Sequence, residues 1–414
     1  MRKRLLLILT LCVVLTACPW IPSDYLTEYR EYDYEENLLL IYMAADNGRS
    51  SYVTDVLNRL EKGVVGAWVY CDPADTAVET SPFIMQITKD HSAEIVSPVV
   101  KSYPEQNSLD RNVMYRVLQD MKHLAYQAIT IDGAPFFHLI VWGDGSSFFP
   151  GEKEVTAAQT TASPSPKIGS RSLGWDTSFG SRSFMNLKDF KWVIGDLDFY
   201  SVIFDTSYMA TAEVYEELKE CCRFFAASPT EKPAEGLRYE LLDPDVKDYF
   251  DDSDFSPGQL NRLFQNSRDY YAQQPTPEKQ SFCFLSIRTN QFSFARDDAV
   301  FRTALESRLQ TDPGFLKTLY DGLQPAAAAD TASGEKSLLF DMEGLYTALE
   351  LPSPFTGENP AGFEMVSTET ILNTMPAPKG LSFYFPIASE PEINAAYNGL
   401  AFARYGLSGY MVTE

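Results

Sequence analysis

The run Val202-Ile203-Phe204-Asp205-Thr206-Ser207-Tyr208-Met209-Ala210 carries the residues best placed for chemistry. An apolar strand enters an Asp-x-Ser turn, and a helical pattern over Ala212 to Glu220 follows. Strand-to-helix corners of this kind are where α/β hydrolytic enzymes present a nucleophile, and Ser207 stands at that point. A serine hydroxyl is a poor nucleophile until a base is held against it. The chain has three histidines, His91, His123 and His138. His138 falls inside a strand, where its ring is expected to be fixed in a sheet layer, away from the corner. His91 falls on a hairpin and His123 on a helix. Three histidines and no CxxC motif give no ligand set for zinc. No metal and no cofactor are expected.

The elements that must position this corner are apolar strands alternating with helices. Leu38 to Met43 is the first strand, and Ser51 to Lys62 follows with Val53, Val56, Leu57 and Leu60 at helical spacing. Val64 to Cys71 is the second strand. Phe83 to Thr88 and Glu94 to Val99 predict a hairpin. Leu109 to Tyr126 is a helix with Val113, Tyr115, Val117, Leu118 and Met121 as its apolar positions. Phe136 to Trp142 is a third core strand, ending in Gly143-Asp144-Gly145-Ser146. Residues 154 to 183 form a long loop rich in Ser, Thr, Pro and Gly. A helix over Leu187 to Ile194 leads to the opening strand, and Phe224 to Ala227 is a fifth. Near-continuous apolar strands alternating with helices imply an α/β fold with a mostly parallel sheet covered on both faces. Beyond about residue 240 the pattern is more helical, with strands at Ser281 to Arg288 and Gly380 to Pro386. Residues 37–414 are taken as one α/β domain, with about 240–414 as a helical C-terminal elaboration or subdomain.

The N-terminus predicts processing. Arg2, Lys3 and Arg4 precede an apolar run from Leu5 to Val14, too short to span a bilayer, and Leu15-Thr16-Ala17-Cys18 follows. Small residues before a cysteine are similar to the bacterial lipobox, in which the cysteine is acylated. Residues 1–18 are then a lipoprotein signal with Cys18 the lipid anchor, and residues 19–36 an acidic tether. Pro19 after the cysteine favours the outer membrane of a bacterial envelope. Removal of Arg2, Lys3 and Arg4 takes the formal charge from −23 to −26. A chain this acidic does not bind nucleic acid through its phosphates. With 45% hydrophobic and 13% aromatic residues it has ample material for a core, and nothing in the composition suggests disorder. Of the cysteines left after processing, Cys71 and Cys283 lie in apolar strands as core residues. Cys221 and Cys222 are adjacent and are not expected to pair with each other.

Taken together, these segments resemble the clostripain-type cysteine peptidases (the C11 family). The likeness rests on Tyr42 to Asn47, Leu139 to Ser146, the Asp205-Thr206-Ser207 corner, Ala227 to Glu231, and Gly380 to Pro386, in that order along 37–414. It implies a caspase-like fold with the site at the carboxyl ends of the strands. It also implies a Cys-His dyad that cleaves after Arg or Lys. The cysteine position here is Ser207 and the histidine position is Asp144, so both halves depart from the family's pattern. Reference pKa values of Asp and His lie about 2.6 apart, or ~3.5 kcal/mol of proton affinity, so Asp144 is a poor base. Asp205 matches the carboxylate of the family's basic-residue pocket; a plain helix-capping role is the alternative. Thr230 and Glu231 are expected along the same cleft.

The expectation is a membrane-anchored homologue with no functional catalytic dyad, acting as a binding or accessory protein whose acidic cleft takes a basic peptide or amine. An Arg/Lys-directed hydrolase using Ser207 and a purely structural lipoprotein are the alternatives. Relatives can be activated by cleavage between the two dyad positions. Lys167, Arg171 and Arg182 are basic sites there, and an inactive centre would leave the chain intact.

Overall fold

The computed structural model describes residues 37–64, 66–73, 81–128, 135–149, 173–180, 182–242, 258–275, 281–292, 298–326, 338–355, 363–368, 370–371, 375–404, 407 and 410–412. The expected signal, Cys18, the acidic tether, Lys167 and Arg171 lie outside the described residues.

The strands are β1 (Asn37–Ala45), β2 (Trp68–Pro73), β3 (Phe83–Gln86), β4 (Val99–Ser102), β5 (Phe136–Trp142), β6 (Leu173–Asp176), β7 (Ser183–Met185), β8 (Ser201–Asp205), β9 (Phe224–Ala227), β10 (Cys283–Arg288), β11 (Leu339–Asp341), β12 (Phe363–Ser367), β13 (Thr370–Ile371), β14 (Met375–Pro376) and β15 (Ser382–Tyr384). Nine of them form one sheet in the order β12-β10-β9-β8-β5-β1-β2-β3-β4. The five at its centre, β9 to β2, run parallel, with antiparallel strands at both edges.

Alternation along each central strand divides the side chains between two cores. Leu38, Leu40, Tyr42 and Ala44 of β1 face one, while Leu39, Ile41, Met43 and Ala45 face the other. The first core is covered by α2 (Arg111–Gln127), α3 (Leu187–Gly195) and α4 (Ala212–Leu218); the second by α1 (Val53–Gly63) and α5 (Gly258–Ala272). This agrees with the α/β, two-face architecture expected from the sequence. The chain beyond residue 240 adds β10 and β12 to the same sheet. Its remaining helices, α6 (Asp298–Thr311), α7 (Phe315–Gly322), α8 (Met342–Ala348) and α9 (Pro391–Asn398), pack with the β11–β15 pair onto the first core.

Three local expectations need correction. The second hairpin strand lies at Val99–Ser102, not 94 to 99: the N–H groups of Val96 and Ser97 donate to the Glu61 carboxylate of α1 (2.9 and 2.7 Å), so no ladder forms there. Strand β2 begins at Trp68 because Gly66, at φ +80°, makes a turn before it. On α2 the buried stripe is Met114, Val117, Leu118, Met121 and Ala125, which follows the helical period; Val113 and Tyr115 flank it. Asp110 starts that helix by accepting from the N–H groups of Asn112 and Val113 (2.9 and 3.1 Å).

Gly63, the last residue of α1, packs its Cα against the backbone at Tyr239. A Cβ there would lie 1.8 Å from the carbonyl oxygen of Tyr239. Gly63→Ala is expected to destabilise the chain by about 2–3 kcal/mol, because backbone and not a flexible side chain must move. Urea unfolding checks this; an unchanged midpoint contradicts it.

Candidate functional site

The chain runs from β1 outward to β2, then returns to place β5 on the other side of β1. That reversal leaves a crevice at the carboxyl ends of β1 and β5, where open α/β sheets bind ligands. Register places the corner beside it. Trp142 of β5 and Asp205 of β8 are direct partners, so Asp144 and Ser207, each two residues on, leave adjoining strand ends. Gly145 makes this approach feasible: a Cβ there would stand 2.6 Å from the carbonyl oxygen of Ser207. Tyr208, immediately after Ser207, holds φ +59°, a left-handed conformation that bulky side chains seldom adopt, and its N–H donates to Thr230 O at 3.1 Å.

The structure therefore brings Asp144, Ser207 and Asp205 together, as the sequence expected. Their partners were not foreseen. Arg49, four residues beyond the end of β1, forms an ion pair through Nε with Asp144, and its Nη1 donates to Ala234 O at 2.9 Å. Lys232, in the loop after β9, is buried with its Nζ 2.9 Å from Asp205 Oδ1. Asp205 is fully removed from water. Its Oδ2 accepts from Leu237 N (3.0 Å) and from the Tyr239 hydroxyl (2.9 Å), while Leu237 N also approaches Oδ1 at 3.2 Å. Gly236, at φ +77°, is required below it, since a Cβ would sit 2.5 Å from Asp205 Oδ2.

These contacts correct the expected acidic cleft. Asp205 is not an open pocket, because the chain's own Lys232 fills it, and Asp144 is matched by Arg49. Thr230 is buried, with its hydroxyl donating to Glu231 O at 3.2 Å, so it holds the loop and does not line a cleft. Glu231 is on the exposed rim; desolvation of its carboxyl raises its pKa, and Asp144 adds to this while Arg49 opposes it. Burial lowers the Lys232 pKa to about 8, with Asp205 pulling it up and Arg49 pushing it further down. Burial, reinforced by Asp205, raises Tyr239 well above the usual phenol range, so it stays a donor.

Ser207 is buried too, and its hydroxyl accepts from Lys232 N at 3.2 Å. Among the described residues neither a carboxylate nor an imidazole is in hydrogen-bond reach of it. His138 is a satisfied core residue, as expected: Nδ1 meets Ser201 Oγ at 2.8 Å and Nε2 meets Asn37 Oδ1 at 2.9 Å. Burial lowers its pKa to about 3, so it stays neutral. Among the described residues there is no group of His, Cys, Asp and Glu suited to a metal ion. Arg182, a candidate cleavage site, lays its guanidinium 4.0 Å from the Trp175 ring centre. Cys71, Cys221, Cys222 and Cys283 are all free thiols.

The sequence did contain a signal for the missed cations. Two acids at adjoining strand ends need counter-charges, and the loops that leave β1 and β9 offer Arg49, Lys232 and Arg238, of which Arg238 pairs with Glu240.

The profile of the clostripain family matches residues 41–286. Among solved structures the chain is similar to an inactive zymogen C11 protease from Parabacteroides distasonis (18% identity, TM-score 0.61, covering 89% of this chain and 97% of that one). It is also similar to a secreted C11 cysteine protease from Bacteroides thetaiotaomicron in complex with an irreversible peptide inhibitor (20% identity, TM-score 0.59, 88% and 96%). A third, the secreted C11 protease iotapain of the same organism, gives 12% identity, TM-score 0.57, 90% and 99%. None of the curated proteins compared matches. At these identities the structural likeness establishes the caspase-like fold.

The lowered Lys232 pKa has a pH consequence. Below about pH 8 folded and unfolded chains both hold this proton. Between there and the ordinary lysine value near 10.4 the unfolded chain holds more, so stability rises with pH across that window. Relative to Lys232→Met, the wild type should gain up to about 3 kcal/mol from pH 8 to 10.4. Urea unfolding of both chains across this range checks it, and a pH-independent difference contradicts it.

Proposed function

The chain belongs to the clostripain family, and from that premise we propose that it is a proteolytically silent, lipid-anchored member that serves as a binding or accessory protein. One observation carries the loss of proteolysis: the aspartate at the base position is ion-paired with Arg49, and the Ser207 hydroxyl meanwhile accepts from Lys232 N. A nucleophilic serine must give its proton to a base as it attacks. Asp144 is the carboxylate on the adjoining strand end, and its charge is committed elsewhere. His138 faces the sheet layer and has both ring nitrogens engaged. The parts left are those of recognition, a shaped strand-end corner and charged groups around it.

The anchor is proposed to be lipid on Cys18, at the end of the apolar run, with the acidic tether holding the domain off an anionic surface. Among the described residues no helix is long and apolar enough to cross a membrane.

Two measurements test this reading. The purified chain incubated with fluorogenic Arg and Lys peptides should give no turnover above the blank; turnover that disappears in Ser207→Ala would overturn the silent-centre reading. Cys18→Ser should move the chain from the membrane fraction to the soluble fraction and abolish incorporation of labelled fatty acid. Retention in the membrane with no label in the wild type would refute the lipid anchor.

A further inference from the structure

We propose that Asp72 and Asp176 form a carboxylic acid–carboxylate pair sharing one proton, and that this proton clamps the β6–β7 hairpin across the carboxyl ends of β1 and β2. The pair lies outside the Ser207 corner and does not depend on whether that corner is silent.

Its position follows from strand register. Ala44 of β1 and Asp72 of β2 are direct partners, two residues beyond the Tyr42–Tyr70 pair, so Asp72 points to the same side of the sheet as those two rings. The turn before α2 roofs that side: Tyr42 OH donates to Ser108 O at 2.6 Å, and Gln106 Nε2 donates to Tyr70 OH at 3.0 Å. Asp176, the last residue of β6, bonds to the same turn and lies within hydrogen-bond reach of Asp72. Both carboxyls are buried.

The donors decide which group carries the proton. Asp176 Oδ2 accepts from Ser108 N (2.7 Å) and Ser108 Oγ (2.6 Å), and its Oδ1 from Ser178 N (3.0 Å) and Ser178 Oγ (2.6 Å). Four donors favour the carboxylate form. Asp72 is 0% exposed, and among the described residues neither of its oxygens has a donor. Ionised, it would be a stranded charge. Protonated, it becomes a donor, and the Asp176 carboxylate is its acceptor. The surrounding charges act in the same direction. Glu105 on the turn and Asp46 after β1 both oppose its ionisation, and the neighbouring Tyr42, Tyr70 and Cys71 supply no positive charge. The cations of the adjoining elements are engaged elsewhere: Arg116 of α2 donates to Gln106 Oε1, Lys101 of β4 pairs with Asp120, Arg182 lies over Trp175 and Arg49 pairs with Asp144. Burial first, then Asp176, Glu105 and Asp46, push the Asp72 pKa up to about 9.

What the proton holds is the rim of the crevice. Thr177 N donates to Asp46 O at 3.2 Å, Asn47 Nδ2 donates to Trp175 O at 3.0 Å, and a Cβ on Gly174 would lie 3.6 Å from Asp144 O. The hairpin thus reaches from the end of β5 to the end of β2. Loss of the proton sets two carboxylates against each other where hairpin, turn and β2 meet, and the hairpin is released. Above the ordinary aspartate value near 3.9 the folded chain holds a proton that the unfolded chain has lost, so the pair's contribution to stability falls as pH rises, until about pH 9.

Asp72→Asn keeps the shape and a donor for Asp176 but cannot ionise. From pH 5 to 9.5 the wild type should lose about 5 °C or more of melting temperature relative to this variant. Parallel profiles overturn the proposal; Lys232 is present in both chains and cancels. Amide exchange at Ser108 and Ser178, corrected for its intrinsic pH dependence, should accelerate about tenfold or more from pH 7 to 9.5 in the wild type only. Equal acceleration in the variant overturns the clamp. Infrared spectra of the wild type should show a protonated-carboxyl band that titrates away near pH 9 and is missing from Asp72→Asn. If the variant folds poorly, the wild-type titration decides alone, and lack of a band with that midpoint overturns the shared proton. Millimolar calcium or magnesium should leave the wild-type melting temperature unchanged; a rise abolished by Asp72→Asn would make the pair a cation site and overturn the proposal.

Discussion

A carboxylate withdrawn completely from water at the end of a parallel strand has to be matched in charge and in hydrogen bonds, and Asp205 organises the site through that requirement. Its two oxygens gather the Lys232 ammonium, the Leu237 N–H and the Tyr239 hydroxyl. Those three residues lie on one segment after β9, a loop that ends in a 3-10 turn at Tyr239–Leu241, so satisfying one side chain fixes the path of the whole segment. The segment then passes over Ser207 and meets Arg49 on the far side of the crevice. Burial lowers the lysine pKa despite the nearby aspartate, so desolvation outweighs attraction in this pair. A buried pair adds little over well-packed apolar residues, yet removing one partner strands the other's charge, so the pair is satisfied in one arrangement only. Here that arrangement is a closed strand-end corner.

The sheet supplies the frame in which this is possible. Register between β5 and β8 sets Asp144 beside Ser207, and Gly145 lets the two turns touch. The corner is braced from behind as well: Ser382 N donates to Ala210 O at 3.1 Å, and Tyr384 N to the buried Glu213 carboxylate at 2.9 Å. The corner keeps its strand-to-helix geometry, with the Ser207 hydroxyl accepting from Lys232 N and, among the described residues, no carboxylate or imidazole in hydrogen-bond reach of it. The frame of the corner is set by packing and register.

Much of this was legible in the sequence. Strands such as Leu38 to Met43 and Phe136 to Trp142 are almost continuously apolar, His138 being the exception, as a sheet buried on both faces requires, and both fall where expected. Asp144, Ser207 and Asp205 could be placed at one end of the sheet because Asp205 ends a strand and the other two lie two residues beyond one. What could not be read was pairing between loops. Lys232 and Asp205 are 27 positions apart, and no periodicity reports that one points at the other. The shifted hairpin strand has the same origin, since the Glu61 carboxylate on a helix diverts the N–H groups of Val96 and Ser97. A local pattern says which face is apolar; it does not say which distant charge answers a buried one.

Lys232 and Asp205 interact directly inside the folded chain, and the closed corner depends on that contact. A double-mutant cycle measures it: urea unfolding at pH 7 of the wild type, Lys232→Met, Asp205→Asn and the double variant. Groups in direct contact couple, whereas distant ones add to within ~0.5 kcal/mol. The pair is predicted to show a favourable coupling above about 1 kcal/mol. Simple additivity of the two single substitutions would contradict the account.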